Sequence, residues 1–412
     1  MPKSLVVCCD GTWNTPRNHT NITRTYDFLR GRLGDAPQVV QKNGVTTCTG
    51  RARDGSDVLL FYDRGVGSQW FDKLIGGGIG VGLSDNVRDA YHFLGQNYQP
   101  GSEIYLFGFS RGAYTARSLC GFIKAAGLLE NPSVKDVWRA YMDLYATASG
   151  IVAKPSGYSF GDVSKWLKEK AGDAVGLLGG EPVASLPRHH GVKIKFVGVY
   201  DTVGALGVPL GQVDKVNEPI VGFHDTTLGD LVENAVQALA VDERRGPFLP
   251  TLWTQQANAA ALAGQKVLQV WFPGVHSDIG GGYEDKGIGD ITLDFMMRQA
   301  VDCGLLIDPA LPVPKATLQQ LPVQHESFDT PWQALSNKLH LPLQATRTIG
   351  PTMPGPHGQT LTVRSEVCLH KSLVNRIGQS CTTILEDKGA QTTAEYRPAN
   401  VKEGVLPVYG AR

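Results

Sequence analysis

Gly108-Phe109-Ser110-Arg111-Gly112 is a G-x-S-x-G pentapeptide, a serine with glycine two residues to either side. The chemistry that needs this pattern is nucleophilic: a hydroxyl held on a tight turn whose flanks are too small to collide with a strand before it and a helix after it. The neighbours agree with that reading. EIYLF, before the serine, is strand-like, and AYTARSLCGFIKAAG, after it, is helix-forming. Such a turn lifts the hydroxyl above the sheet edge and sets a helix amino terminus beneath it, where the N–H of Arg111 can donate to a developing oxyanion.

A serine alone is a weak nucleophile, so Ser110 needs a base and a group that orients the base. VKIKFVGVYDTVGALG is the next strand-like run that ends in an acid, Asp201, and KVLQVWFPGVHSDIGGGY then delivers His276 in a turn-rich loop. Serine, acid, histidine is the chain order of the α/β-hydrolases. The competing readings are structural: Asp201 as a turn acid and His276 as a loop histidine held by local hydrogen bonds. Asp10-Gly11-Thr12 follows the first strand-like run, and an N–H of Gly11 or Thr12 is a candidate second oxyanion donor. Asp10 is a candidate supporting residue. Asp278 either orients the histidine loop or, the favoured reading, caps the Gly280-Gly281-Gly282 turn. A metal held by Asp10 and Asp278 is a minor alternative; the expectation is no metal and no organic cofactor.

The elements that must position these residues recur along the chain. Strand-type runs at Ser4 to Cys9, Val58 to Tyr62, Glu103 to Phe107, Val192 to Tyr200 and Lys266 to Phe272 alternate with helical patterns. That alternation argues for a mostly parallel sheet covered by helices on both faces, with the ligand beyond the carboxyl ends of the strands. Asp10, Ser110, Asp201 and His276 all stand just after such runs. The expected architecture is one domain over residues 1–412, with a helical insertion or lid at 131–191 and a wrapping segment at 306–412. In the insertion, Trp138, Tyr141, Tyr145 and Trp166 lie among helix formers and lysines. They suit either a lid that meets lipid or plain core packing. GGGIGVGLSDN, from Gly76 to Asn86, lacks the endings of a phosphate-cradling loop and reads as a connection into a helix capped by Ser84 or Asp85.

Composition narrows the partners. The 412 residues are 42% hydrophobic, and 39 basic side chains balance 39 acidic ones, so no excess positive charge is present to meet a nucleic acid. No apolar run approaches the roughly 20 residues of a membrane span, and the amino terminus does not resemble a signal peptide. The expectation is a cytoplasmic protein, with signal-independent export left open. Seven cysteines with no C-x-x-C pair read as buried, reduced thiols. Oligomeric state is not readable.

Together, CCDGTWN, TNITR, YDRGVGS, GLSDNVRDAYHFL, GFSRGAYTAR, VGVYDTVGALG, ALAVDERRGPFLPTLW, WFPGVHSDIGGGY and AEYRPANV resemble the DUF2235 family of α/β-hydrolases, which includes the Tle1-type phospholipase effectors of type VI secretion. The resemblance runs from about Lys3 to Val401. It implies an α/β-hydrolase fold and a Ser-Asp-His triad carried onto Ser110, Asp201 and His276. It also implies an ester or phospholipid substrate, with peripheral membrane contact open. The chain has no evident space for an added membrane-associating module, which leaves two alternatives: an esterase on a soluble, polymeric or glycan-linked ester, and a non-catalytic binding protein on the same fold.

Overall fold

The computed structural model describes residues 3–11, 19–34, 37–42, 44–65, 81–146, 182–203, 228–254, 264–305, 321–328, 344–354, 360–363, 366–385, 389–402 and 406–409, with 333, 334 and 337. Thr12, Trp166, Asp225 and residues 76–80 of the glycine-rich run lie outside them, as does 147–181 of the expected insertion.

In chain order the elements around the site begin with β1 (Ser4–Cys9), α1 (Asn21–Arg30), β2 (Gln38–Lys42), β3 (Val45–Arg51) and β4 (Asp57–Asp63). They continue with α2 (Val81–Asn97), β5 (Glu103–Phe109), α3 (Arg111–Ala126), α4 (Val134–Ala140), β6 (Ile194–Tyr200), β7 (Val232–Ala240) and β8 (Lys266–Phe272). The last are α5 (His276–Gly280), α6 (Gly287–Asp302), β9 (Glu366–His370), α7 (Lys371–Val374) and β10 (Val408–Tyr409). The ten strands form one sheet in the order β10-β9-β8-β7-β6-β5-β1-β4-β3-β2. All neighbours from β10 to β4 pair parallel, and β2 and β3 close one edge antiparallel. All five expected strands are present.

Parallel strands buried on both faces carry near-continuous apolar runs, and successive side chains go to opposite faces. Leu5, Val7, Ile104 and Leu106 therefore enter the core under α2 and α3, whereas Val6, Cys8, Tyr105 and Phe107 enter the core with α1 and α6. Helices thus lie on both faces, as expected. Five of the seven cysteines, Cys8, Cys9, Cys48, Cys120 and Cys368, sit in these cores; none of the seven is in a disulfide, and burial pushes the Cys120 thiol up to about 12.

Several expectations change in detail. α2 begins at Val81, so Ser84 and Asp85, its fourth and fifth residues, lie inside the helix and do not cap it. Tyr141 and Tyr145 pack on Phe122 at 5.3 and 5.6 Å between ring centroids and are buried, so these two aromatics belong to the core and not to a lipid-facing surface. The carboxyl-terminal segment does more than wrap, because β9 and β10 extend the main sheet. β7, in the middle of the sheet, was not expected from VENAVQALA, whose alanine, glutamate and amides favour helix over strand.

His370 ends β9 and caps α7, its Nδ1 accepting from the N–H of Ser372 at 3.2 Å while its ring stacks on Phe272. Burial, aided by the Lys371 cation, pushes its pKa down from 6.5 to about 3. The unfolded chain therefore takes up a proton that the folded one refuses. This residue's effect on stability is absent above pH 6.5 and grows as pH falls toward 3, by about 1.4 kcal/mol per unit. His370→Asn keeps an acceptor at the cap and should flatten the decline in unfolding free energy between pH 6.5 and 5, read by urea titration. Equal slopes for the two proteins would show that His370 is not the cause.

Candidate active site

The turn after β5 is built as the pentapeptide requires. Ser110 has φ 56° and ψ −120°, a strained conformation for a residue with a side chain. A Cβ on Gly112 would lie 2.0 Å from the carbonyl oxygen of Cys9, and one on Gly108 would lie 2.5 Å from the Cα of Ala113. Both obstacles are backbone, so neither position accepts a side chain without displacing a strand or α3. Two further backbone bonds hold the bend: Ser110 N–H donates to Tyr200 O at 3.1 Å, and Tyr114 N–H donates back to Ser110 O at 3.3 Å. Arg111 opens α3, which puts its N–H at the positive end of the helix.

Asp201 follows β6 directly and also has positive φ, 40°. Its N–H bonds to Ala238 O at 2.8 Å, so the adjacent β7 fixes the turn. His276 opens α5 after β8. The three side chains form one hydrogen-bonded line: Ser110 Oγ lies 2.8 Å from His276 Nε2, and His276 Nδ1 lies 2.7 Å from Asp201 Oδ2. Relative exposure falls along the line from 8% at Ser110 to 4% at His276 and 0% at Asp201, so only the serine end faces the outside. The imidazole is held between rings, with Phe109 at 4.7 Å and Phe248 edge-on at 5.1 Å.

Electrostatics suits a neutral base beside a charged acid. Burial lowers the His276 pKa below 6.5, and the Asp201 hydrogen bond and charge only partly oppose it. Burial alone would raise Asp201, but the Arg347 guanidinium and the bond from His276 outweigh it and hold the carboxyl well below the usual range. Glu243 accepts from the N–H of His276 at 3.2 Å and from both arms of a bidentate pair with Arg245. Burial opposes its ionisation, but Arg245 holds it at about 2.

The remaining expected residues have other partners. Asp278 caps its own helix by accepting from the N–H of Val275 at 3.0 Å, and its Oδ1 pairs with Nδ1 of His325 at 2.7 Å. The side chain thus turns back to the start of the helix that His276 opens and not to the Gly280-Gly281-Gly282 turn it was expected to cap, and its further partner, His325, is stacked on Tyr283. Asp10 accepts from the hydroxyls of Thr20, Thr23 and Tyr62 and from the N–H of Gly11 at 2.7 Å. That last bond engages the Gly11 N–H, so its use on an oxyanion requires an exchange of partners. Asp10 and Asp278 are thus held by separate sets of neighbours. Among the described residues no group of three or more histidine, cysteine, aspartate or glutamate side chains is placed to hold a metal ion, and no helix is long and apolar enough to cross a membrane.

Sequence reasoning passed over Arg347, Glu243, Arg245 and His325. Glu243 and Arg245 stand in ALAVDERRGPFLPTLW, a run that the family resemblance singled out without a role, and the adjacent opposite charges were the available signal. Arg347 sits in a stretch of weak periodicity with no motif.

An open, mostly parallel α/β sheet with a strained serine at the end of a central strand, hydrogen-bonded to a histidine and through it to an acid, defines an α/β protein of hydrolase-like design. The chain belongs to the family described as the T6SS phospholipase effector Tle1-like catalytic domain, whose profile matches residues 3–299. It is 27% identical over 275 residues to an uncharacterised protein of Saccharomyces cerevisiae, YEL023C, covering 61% of this chain and 33% of that protein. An uncharacterised protein from Pseudomonas aeruginosa of known crystal structure is 17% identical with a TM-score of 0.38, over 76% of this chain and 47% of that one. The Tle1 effector, solved bound to the VgrG spike of the type VI secretion system, is also 17% identical with a TM-score of 0.31, over 69% and 52%. The chain spans about a third of the yeast protein and about half of each solved chain.

Proposed function

We propose that this protein is a serine hydrolase of carboxylic esters, of the lipase or phospholipase type, working through an acyl-enzyme. The observation that carries the reading is the line Ser110 Oγ, His276 Nε2 and Nδ1, Asp201 Oδ2, set on a turn that only glycine flanks permit. Ser110 Oγ attacks the ester carbonyl while its proton passes to His276 Nε2, and Asp201 holds the resulting imidazolium. The oxyanion is met by the Arg111 N–H at the start of α3 and by a second donor, the N–H of Thr12 or, once it exchanges its bond to Asp10 Oδ1, that of Gly11. Collapse releases the alcohol, which takes the proton from His276. Water, deprotonated by the same nitrogen, then frees the acid.

Membership in a phospholipase effector family favours a lipid ester. The burial of Tyr141 and Tyr145 favours the second reading, a soluble ester, because it removes two of the aromatic anchors that a membrane-facing lid would use. The two readings separate on one assay. A lipid enzyme turns over phospholipid vesicles or micelles faster than the same ester dispersed as monomers. If a short soluble ester exceeds every phospholipid aggregate tested, the lipid assignment is wrong and the soluble-ester reading replaces it.

A further inference from the structure

The Asp201 carboxylate has two side-chain partners, His276 and Arg347, and the second comes from outside the family match. Arg347 bridges both oxygens, with Nη1 to Oδ1 at 2.6 Å and Nη2 to Oδ2 at 2.9 Å. The remaining acceptor positions are filled by the N–H of Ala240 on Oδ1 at 3.0 Å and by His276 Nδ1 on Oδ2 at 2.7 Å. The guanidinium is itself only 2% exposed and also donates to Ala240 O at 2.9 Å and to Phe248 O. Phe248 is the ring that stands edge-on to His276. Asn400, later still in the chain, ties Arg347 O and Val241 O together at 3.2 and 3.1 Å. One planar cation therefore sets the plane of the acid and the wall of the base.

We propose that Arg347 is a positioning residue of the ester-hydrolysing site: it fixes the Asp201 carboxylate for His276 Nδ1 and moderates the negative charge that the imidazole meets. The inference rests on the serine-hydrolase reading above. It implies that residues 3–299 do not hold a complete site, because the fork that orients the acid is supplied by the carboxyl-terminal segment.

Two physical consequences follow from separate properties of the guanidinium. Its charge opposes protonation of the Asp201–His276 pair; removing it strengthens the hold of that pair on a proton. Its fork fixes two oxygens at once, which an ammonium cannot do. The charged and titratable groups facing His276 are Asp201, Arg347 through Asp201, and the Glu243–Arg245 pair behind its N–H. Asp278 on its own helix is directed to His325. Of these, a change at Arg347 removes one charge and leaves the others in place.

The test uses the full chain with a nitrophenyl ester, turnover being expressed per site titrated with a fluorophosphonate and folding checked by thermal unfolding. In Arg347→Met the acid limb of kcat/KM should move to higher pH by about one unit, as expected on loss of a nearby charge. In Arg347→Lys the limb should stay in place while kcat drops roughly 10- to 100-fold from misplacement of the acid. Methylguanidinium should restore part of the rate to Arg347→Ala and none to Asp201→Asn. Wild-type kcat in the lysine variant, or an unmoved acid limb in a folded methionine variant, overturns the proposal. If the methionine variant does not fold, the lysine variant decides alone. Failure of the underlying reading looks different: the wild-type protein itself would not be labelled at Ser110.

Discussion

Ser110→Ala should abolish ester hydrolysis, with a loss of roughly 10⁴ to 10⁶ in kcat, while the fold and melting temperature stay near those of the unaltered protein. The loss is large because the members of such a line act as a unit: without the hydroxyl, His276 has no proton to take and no acyl-enzyme forms. The fold should persist for a backbone reason. Ser110 already carries a Cβ at φ 56°, so alanine inherits the same strain and adds none. The hydroxyl makes one side-chain bond of those described, to His276 Nε2 at 2.8 Å, and that nitrogen stands at the outward end of the line where water can replace it. The checks are turnover on a nitrophenyl ester and fluorophosphonate labelling of the purified, folded variant. More than a few per cent residual activity would show that Ser110 is not the nucleophile.

Acidification should act on the same chemistry through His276. Burial holds its pKa below 6.5, so the neutral base is present at and above that value. Turnover then falls only as pH drops below it, with Asp201 still ionised throughout because Arg347 and His276 together hold the carboxyl low despite burial.

The strands that lead to Asp10, Ser110 and His276 were legible because parallel strands buried on both faces carry near-continuous apolar runs, as SLVVCC, EIYLFGF and KVLQVWF do. Ser110, Asp201 and His276 then fall at or just beyond carboxyl ends, where polar side chains have room. β7 escaped because its position between β6 and β8, and not its own composition, makes it a strand. Residues Tyr141 and Tyr145 show the converse limit: an aromatic stripe at helical spacing does not reveal whether it meets lipid or, as here, Phe122 in the core. Arg347 escaped for a third reason. A cation has no periodicity, and the acid it meets is 146 residues earlier in the chain, so only the folded chain brings the two together.

Asp201→Asn should cost on the order of 10⁴ in turnover and should also destabilise the protein, whereas Asp278→Asn should affect stability more than rate. An amide in place of Asp201 either presents its oxygen to His276 Nδ1 and a donor to Arg347, or turns over and forces the wrong imidazole tautomer. Neither arrangement reproduces four donors converging on two oxygens. The guanidinium is then buried without its counter-charge, and breaking a buried pair in this way costs about 3–5 kcal/mol. The other acids after Ser110 are occupied elsewhere or lie outside the described residues. Asp242 accepts from Gly274 N–H at 2.6 Å and from the hydroxyl of Tyr396 at 2.9 Å, Asp278 is held by Val275 and His325, and Asp225 is not among the described residues. Asparagine at 278 keeps one acceptor for the helix cap and loses only the charge facing His325, well behind the reacting atoms. Parallel kcat and thermal-unfolding measurements on the two variants separate the roles, with wild-type labelling of Ser110 as the reference. A larger fall in kcat for Asp278→Asn than for Asp201→Asn, at equal folded fraction, would transfer the orienting role to Asp278 and leave the Asp201–Arg347 pair as a structural ion pair.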